Sequence, residues 1–238
     1  MTLRADSSVA ELPLFQGEDG GAIPTSALHN LKGWIVERCL RKHIESFIEK
    51  WHYSKSINGC TTSYCYRMFD ANKIMVGAMF YGPMAMAGQY KRFSENNNDV
   101  IELRRLCCID GTPKNAESFF ISKSLKMLAK DWNKNGIVVS YSDMEYGHSG
   151  VIYRAANFEC LGKSNGAKVI FWNGKKYHDK SLRAKYNGKI KPFALKLKLA
   201  LQSGDAIIKN TAGKYTFIYK LNRSSVNNKQ KENNHAIR

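Results

Sequence analysis

The densest group of chemically capable side chains lies at residues 140–148, where Ser-Tyr-Ser-Asp-Met-Glu-Tyr-Gly-His follows a short apolar run. Asp143 could orient an amine or accept its proton. His148 is a candidate acid or base because imidazole titrates close to neutral pH. The alternative is that Asp143 only caps the helix that follows and that His148 is an ordinary surface residue. The spacing alone leaves both interpretations open.

Two further candidates stand near predicted helix ends. Tyr153 lies five residues after His148 inside a predicted helix, where a tyrosine is more often a packing residue. His52 and Tyr53 follow Trp51 at the exit of an earlier helix, and such a pair is also commonly structural. Chemistry at either place needs support beyond spacing.

Adjacent arginines occur on a predicted central strand, at Arg104 and Arg105. Strict alternation along a strand predicts that they point to opposite faces of the sheet. A buried guanidinium is costly unless it is paired. We therefore expect Glu102 to pair with Arg104, and a phosphate or carboxylate of a ligand to bind Arg105.

The chain is strongly basic, with 37 Lys and Arg against 20 Asp and Glu and a net charge of +17 over 238 residues. Such an excess favours a polyanionic partner, with nucleic acid as the leading candidate. Residues 175–198 hold nine of the cations and one acid, interleaved with Tyr177, Tyr186 and Phe193. Cations neutralise phosphates and aromatic rings stack on bases. The predicted DNA-binding residues are Lys91, Arg92, Lys175, Lys176, Lys180, Arg183 and Lys185, and the alternative is a solvated, highly charged helix pair.

Other partners and sites are disfavoured. The longest apolar stretch, 74–88, is interrupted by glycines and Pro83 and is shorter than the roughly 20 residues of a membrane-spanning helix. The first 21 residues lack the apolar core of a signal peptide, which predicts a cytosolic protein. The six cysteines form no CxxC pair and are predicted to be buried free thiols. No metal-ligand spacing stands out, so no metal site is predicted, although the sequence neither requires nor rules out iron.

The elements that must position these residues alternate between strands and helices. Strands are predicted at 33–39, 61–69, 73–81, 100–109, 137–142 and 168–172, helices at 44–52, 115–133 and 149–157, and a closing hairpin at 207–221. A long loop, 82–99, carries Lys91 and Arg92. This order predicts an α/β fold, with a mixed sheet covered by helices, in a domain of residues 31–222. Residues 1–30 are predicted to be an irregular arm, and 223–238 a disordered polar tail.

These segments together resemble the Mom DNA-modification proteins of Mu-like phages. The resemblance extends from the arm through the final hairpin. It is carried by long, ordered motifs, namely GGAIPTSALHNLKGW at 20–34, WHYSK at 51–55, IELRRL at 101–106, NAESFFI at 115–121, EYGH at 145–148, WNGK at 172–175 and YHDK at 177–180.

The resemblance implies an enzyme of the host cell cytoplasm that converts adenine in double-stranded DNA to N6-(carbamoylmethyl)adenine, which shields phage DNA from restriction. It implies a fold like that of GNAT acetyltransferases, with a cofactor cleft between strands 100–109 and 137–142. The residues that match those the family depends on are His52, Tyr53, Arg105, Asp143 and Tyr153, with Tyr153 at the place of the GNAT general acid. The cofactor is expected to contact Arg105, Cys107, Ile109, Asn115 and Ser118. A homodimer is the default expectation.

One departure from the GNAT pattern concerns the phosphate-binding turn. The turn at 110–116 holds a single glycine where GNAT enzymes have a glycine-rich one, which disfavours acyl-CoA. The product joins adenine through a methylene, so the expected donor is a carbamoylmethyl or glycine-derived compound. Either N6 is alkylated directly, or a glycine-like unit is attached and rearranged. The alternative functions are an ordinary N-acetyltransferase and a non-catalytic basic DNA-binding protein.

Overall fold

A computed structural model describes residues 31–222, so the predicted arm and tail lie outside the described residues. The main sheet has seven strands in the order β1-β2-β3-β4-β5-β12-β6. The strands are β1 (Ile35–Cys39), β2 (Tyr64–Phe69), β3 (Met75–Gly82), β4 (Val100–Cys108), β5 (Gly136–Asp143), β6 (Glu159–Lys163) and β12 (Lys214–Leu221). Neighbours pair antiparallel except β4 and β5, which run parallel.

Helices pack on both faces of this sheet. On one face lie α2 (Ala116–Asp131) and α3 (Val151–Ala155), whose Phe120 and Tyr153 share a core with Phe217 of β12. On the other face lies α1 (Glu45–Trp51), whose Ile48 packs with Phe80 of β3. The prediction of a mixed α/β fold with flanking helices is confirmed.

The middle of the sheet is open where β4 and β5 separate. These strands pair only from Val100 with Ile137 to Leu103 with Ser140. Beyond that point β4 remains paired with β3, and β5 with β12. A gap therefore opens at the carboxyl ends of the two parallel strands, where polar groups of a ligand can reach backbone and side chains from both.

A second, smaller sheet has the order β11-β7-β8. Its strands are β7 (Lys168–Trp172), β8 (Lys175–His178) and β11 (Ala206–Asn210), and α4 (Pro192–Ser203) packs on it through Leu197 and Ala200 against Ile170. Between β8 and α4 the strands β9 (Lys185–Tyr186) and β10 (Lys189–Ile190) form a two-residue ladder. The basic segment 175–198 thus contains strands and the start of one helix, and the alternative of a helix pair is wrong.

The predicted hairpin at 207–221 is wrong as well, because its two strands belong to different sheets. β11 pairs with β7, and β12 pairs with β5 and β6. The turn signal at 211–213 marks a crossing between sheets instead. Gly213 has a φ of +87°, and a Cβ there would collide with the carbonyl oxygen of Ser164, so the crossing requires glycine. β6 is a strand that the sequence patterns did not predict.

The remaining predicted strands and helices of residues 31–222 are present, with ends shifted by a few residues. The six cysteines are free, and Cys60, Cys65 and Cys107 are buried. Within the described residues, no helix is long and apolar enough to cross a bilayer.

Candidate active site

The gap between β4 and β5 continues into a cavity of about 410 Å³. Its walls come from the exit of α1, the second halves of β4 and β5, the turn after β5, and the start of α3. The cavity brings together the five residues predicted as catalytic, namely His52, Tyr53, Arg105, Asp143 and Tyr153. These residues lie on four separate segments of the chain.

His52 is buried, with 5% of its surface exposed, directly after the last turn of α1. The backbone N–H of Ser54 donates to its Nδ1 at 3.1 Å, so Nε2 is the nitrogen left for a ligand. Burial, followed by the positive charge of Arg105, lowers the pKa of His52 from 6.5 to about 4. The imidazole is therefore neutral at neutral pH. With Nδ1 accepting, it presents Nε2–H as a hydrogen-bond donor.

Tyr53 lies between two other rings at the mouth of the cavity. Its ring centroid is 4.2 Å from that of His52 and 4.3 Å from that of Tyr146. His148 adds a fourth ring, 5.6 Å from Tyr53. Burial raises the pKa of Tyr53, so its hydroxyl keeps its proton at neutral pH. Tyr146 was not among the predicted site residues, although it belongs to the EYGH motif.

A β-bulge occurs in β4 at the two arginines. β3 pairs Phe80 with Arg105 and Tyr81 with Leu103, which leaves Arg104 as the extra residue. A bulge interrupts the alternation of side chains between the two faces of a sheet. The prediction that the arginines point to opposite faces depends on unbroken alternation.

The packing on either side of the bulge shows where the arginines point. Leu103 and Leu106 contact the core beneath α2, whereas Cys107 packs beneath α1. Both Arg104 and Arg105 therefore point to the α1 face, and the prediction of opposite faces is wrong. Both arginines line the cavity.

Neither arginine has a carboxylate partner within residues 31–222. Arg104 donates to the carbonyl of Pro83 at 3.0 Å, and Arg105 donates to the carbonyl of Arg104 at 2.7 Å. The Nε atoms of both arginines are buried without a hydrogen-bond partner in the described chain. The expected ion pair of Arg104 with Glu102 is wrong: Glu102 accepts from the backbone N–H of Ala85 at 3.1 Å, and burial raises the pKa of its carboxyl group. The wall is thus positively charged and has hydrogen-bond donors left over for an anion.

Asp143 ends β5 and is held from two sides. Its Oδ1 accepts from the backbone N–H of Glu145 at 3.2 Å, and its Oδ2 lies 2.9 Å from Nζ of Lys214. Lys214 is the residue of β12 directly opposite Asp143. The carboxylate is 14% exposed, and its fixed orientation leaves lone pairs for a donor inside the cavity. Asp143 also caps the turn, so the structural interpretation and the chemical one both apply to it.

Tyr153 lies on α3, buried against Phe217, with ring centroids 5.1 Å apart. Burial raises the pKa of its hydroxyl to about 12, and a hydrogen bond with Ser140 partly offsets that effect. The phenol therefore holds its proton at neutral pH and can act as an acid, but not as a base.

Only some of the residues predicted to contact the cofactor line the cavity. Arg105 and Cys107 line the cavity, whereas Ile109, Asn115 and Ser118 do not. Asn115 precedes α2 in the left-handed conformation, and its carbonyl accepts from the hydroxyl of Ser118 at 3.1 Å. Both therefore hold the helix start in place, and the neighbouring Glu117 is the α2 residue that reaches the cavity.

The predicted DNA-binding residues lie on two exposed segments beside the cavity mouth. Lys176 of β8 contacts Glu145 in the turn after β5, with Nζ and Oε1 2.6 Å apart. Lys180 reaches Met86 of the 82–99 loop, and Arg183 pairs with Asp179. The remaining ones are Lys91 and Arg92 in a short 3-10 turn, Lys175 in β8 and Lys185 in β9. The basic segment and the loop thus approach each other next to the cavity. Within residues 31–222 there is no group of three His, Cys, Asp or Glu side chains arranged to hold a metal.

Comparison with known proteins identifies a family. A model of the Mom protein family matches residues 33–236. The methylcarbamoylase Mom of Escherichia phage Mu is 28% identical over 141 residues, which cover 58% of this chain and 57% of that protein. The chain thus aligns with little more than half the length of this curated relative.

Solved structures with a similar arrangement are acetyltransferases. The spermidine/spermine N-acetyltransferase SpeG of Vibrio cholerae has a TM-score of 0.45 at 10% identity and covers 84% of this chain and 98% of its own. NAA60 of Arabidopsis thaliana has a TM-score of 0.46 at 9% identity, with 79% and 98% covered. A GNAT acetyltransferase of Streptococcus pneumoniae has a TM-score of 0.43 at 8% identity, with 79% and 99% covered. Similarities of this size assign no role to any residue.

Proposed function

Because the chain belongs to the Mom protein family, we propose that it is a DNA-modifying transferase that attaches a carbamoylmethyl group to N6 of adenine. The name of its phage Mu relative, a methylcarbamoylase, supports the group transferred. The product, N6-(carbamoylmethyl)adenine, protects phage DNA from host restriction enzymes in the bacterial cytoplasm.

The convergence of residues at one cavity carries this proposal. His52, Tyr53, Arg105, Asp143 and Tyr153 come from four separate segments of the chain and meet around a cavity of about 410 Å³. That volume suits a single base together with a small reactive group. The cavity also supplies a fixed carboxylate, a neutral imidazole, a protonated phenol and two guanidinium groups. Group transfer needs such groups to accept and donate hydrogen bonds, to donate a proton and to bind an anion.

Asp143 is the acceptor for the adenine amino group in this proposal. The N6 lone pair is delocalised into the purine, so N6 is a poor nucleophile. A hydrogen bond from N6–H to the carboxylate raises electron density on nitrogen and fixes its direction. Lys214 holds that carboxylate in place and balances its charge through its 2.9 Å contact.

The donor is a carbamoylmethyl or glycine-derived compound with an anionic group that binds Arg104 and Arg105. In a direct transfer, N6 forms a bond to the methylene carbon and passes one proton to the carboxylate of Asp143. The bond from that carbon to the leaving group breaks, and the leaving group takes the electron pair. Tyr153, protonated at neutral pH, is placed to donate a proton to it. His52 donates from Nε2–H and positions base or donor together with Tyr53.

The start of α2 disfavours acyl-CoA as the donor in this proposal. Pro113 has no backbone N–H, and the N–H of Ala116 already donates to its carbonyl at 3.0 Å. Asn115 holds the left-handed position that glycine occupies more readily, with a φ of 72°. A pyrophosphate needs several free N–H groups at such a turn. No step is therefore assigned to coenzyme A.

Double-stranded DNA is the substrate that the charge distribution favours. The segment around β8 and the 82–99 loop present cations next to the cavity mouth, so the duplex can lie across it. N6 of adenine is hydrogen-bonded within the duplex, and the base must therefore leave the stack to enter the cavity.

Nucleoside mass spectrometry tests the proposal. DNA from cells that express the protein is digested to nucleosides and compared among the wild type, Asp143→Asn and a control, Glu159→Gln, which changes an exposed carboxylate on β6. We expect carbamoylmethyl-adenine in the wild type and in the control, and at least a hundredfold less in Asp143→Asn. Thermal unfolding of the purified variants shows whether the fold is retained.

Three outcomes would contradict the proposal in whole or in part. Unmodified nucleosides from the wild type, together with salt-dependent DNA binding, would indicate a non-catalytic DNA-binding protein. Saturable acetyl-CoA binding with an acetylated small amine would indicate an ordinary N-acetyltransferase. Wild-type amounts of product from a folded Asp143→Asn variant would show that Asp143 is not the acceptor for N6.

A further inference from the structure

Three rings from two segments lie in contact one after another beside the cavity, with interplanar angles of 32° and 36°. His52 and Tyr53 are 4.2 Å apart between centroids, and Tyr53 and Tyr146 are 4.3 Å apart. The row of three rings begins at His52, which is buried, and ends at Tyr146, which is 48% exposed. Tyr146 is therefore the outermost of the three rings; the His148 ring lies 6.5 Å from it, and nearly half of the Tyr146 surface is exposed.

The segment that carries Tyr146 is firmly supported. Tyr146 ends a 3-10 turn, Met144–Tyr146, that follows β5 directly. Asp143 caps this turn through the N–H of Glu145, and Lys176 of the second sheet holds the Glu145 carboxylate at 2.6 Å. A ring on such a support loses little conformational freedom when a ligand stacks on it.

The charges around Tyr146 suit a nucleotide. Lys176 is paired with Glu145, and Lys214 with Asp143, so the two carboxylates beside the ring are each neutralised by a lysine. The mouth therefore does not repel a phosphate backbone that comes close to it. Asp143, the proposed acceptor for N6, is three residues from Tyr146 on the same turn.

We propose that Tyr146 is the platform on which the extruded purine base stacks as it enters the cavity. This inference rests on the proposed function in that DNA is the substrate, and it adds the residue that receives the base. The base stacks on Tyr146 and becomes the fourth ring of the row formed by His52, Tyr53 and Tyr146. Base–aromatic stacking needs only a π face, and it replaces part of the stacking lost when a base leaves the duplex.

A binding assay separates stacking from phosphate contact. The probes are two short single-stranded oligonucleotides with abasic sites at every position, one of which carries a single central adenine. Fluorescence anisotropy gives their affinities for the wild type, Tyr146→Phe, Tyr146→Leu and Tyr146→Ala. The control is Leu161→Ala, which removes a side chain of similar exposure from β6.

We expect the wild type to bind the adenine probe about tenfold more tightly than the abasic probe. Tyr146→Phe and Leu161→Ala keep this preference. Tyr146→Leu and Tyr146→Ala lose most of it, while their affinity for the abasic probe stays unchanged, because phosphate contacts are intact. Tyr146→Leu retains apolar packing against Tyr53. If the alanine variant unfolds, the leucine variant alone shows whether the adenine preference depends on the Tyr146 ring.

Persistence of the tenfold preference in Tyr146→Leu would overturn the inference. An equal loss of affinity for both probes would overturn it too, since the ring would then serve only to hold the turn. Nucleoside mass spectrometry tests the proposed function separately. Adenine-dependent binding without base modification would contradict that function, but it would still support stacking of the base on Tyr146.

Discussion

Replacing Arg105 with glutamine is expected to raise the pKa of His52. Burial is the largest cause of the fall in that pKa from 6.5 to about 4, and the charge of Arg105 is the next. Glutamine keeps most of the volume of the side chain and removes the charge. The pKa of His52 should therefore rise in Arg105→Gln but stay below 6.5, because the larger cause, burial, remains.

The magnitude follows from the difference between folded and unfolded states. A fall from 6.5 to about 4 corresponds to about 3 kcal/mol in favour of the neutral imidazole. Between these pH values the unfolded chain binds a proton at His52 that the folded chain does not bind. Stability present above pH 6.5 is thus lost as the pH falls towards 4. His52→Asn should flatten this part of the stability profile.

Ring-nitrogen NMR on protein labelled at histidine measures these quantities directly. The spectrum of His52→Asn assigns the His52 signals, and a pH titration gives the pKa in the wild type and in Arg105→Gln. We expect a neutral ring with its proton on Nε2 throughout the physiological range. A wild-type His52 that titrates near 6.5 would show that burial does not lower its pKa. An equal pKa in Arg105→Gln would show that the charge of Arg105 does not lower it.

Four further outcomes are expected. Tyr153→Phe should lower formation of modified adenine by about 10² to 10⁴ without loss of DNA binding, as measured by nucleoside mass spectrometry and anisotropy, and full activity would exclude proton transfer by its hydroxyl. Gly150→Ala should cost about 3 kcal/mol in urea unfolding, since its φ is +79° and a Cβ there would collide with the Phe217 ring. Gly147→Ala, at a φ of +73° with open space around it, should cost only about 1 kcal/mol, and equal costs would mean that the Phe217 ring moves aside freely. Lys185→Gln should reduce the slope of log K for DNA against log salt by about 0.9, whereas an unchanged slope would place Lys185 outside the DNA contact.

The sequence predicted the elements better than it predicted their pairing. Period-2 and period-3.6 patterns located most strands and helices, because those patterns reflect the burial of one face. The hairpin at 207–221 was wrong because local turn chemistry does not determine whether two adjacent strands pair with each other. β11 is placed instead by its apolar contact with α4, which no local pattern encodes.

The candidate site shows the same limit. Motif resemblance pointed to five residues that the structure brings to one cavity. The shared face of Arg104 and Arg105 could not be predicted, because a bulge changes the register without a characteristic residue type. Lys214 was missed because its contact with Asp143 depends on a strand 71 positions later in the chain. Tyr146 belongs to the EYGH motif, but its exposure and its contact with Tyr53 depend on the folded arrangement of two distant segments.

The position of β12 has a consequence for when the candidate site is complete. β12 is the last described strand to leave the ribosome, and it enters the sheet between β5 and β6, which were made earlier. Until it does, β5 has an open edge and Asp143 lacks Lys214. We therefore expect nascent chains to lack a complete candidate site until β12 joins the sheet.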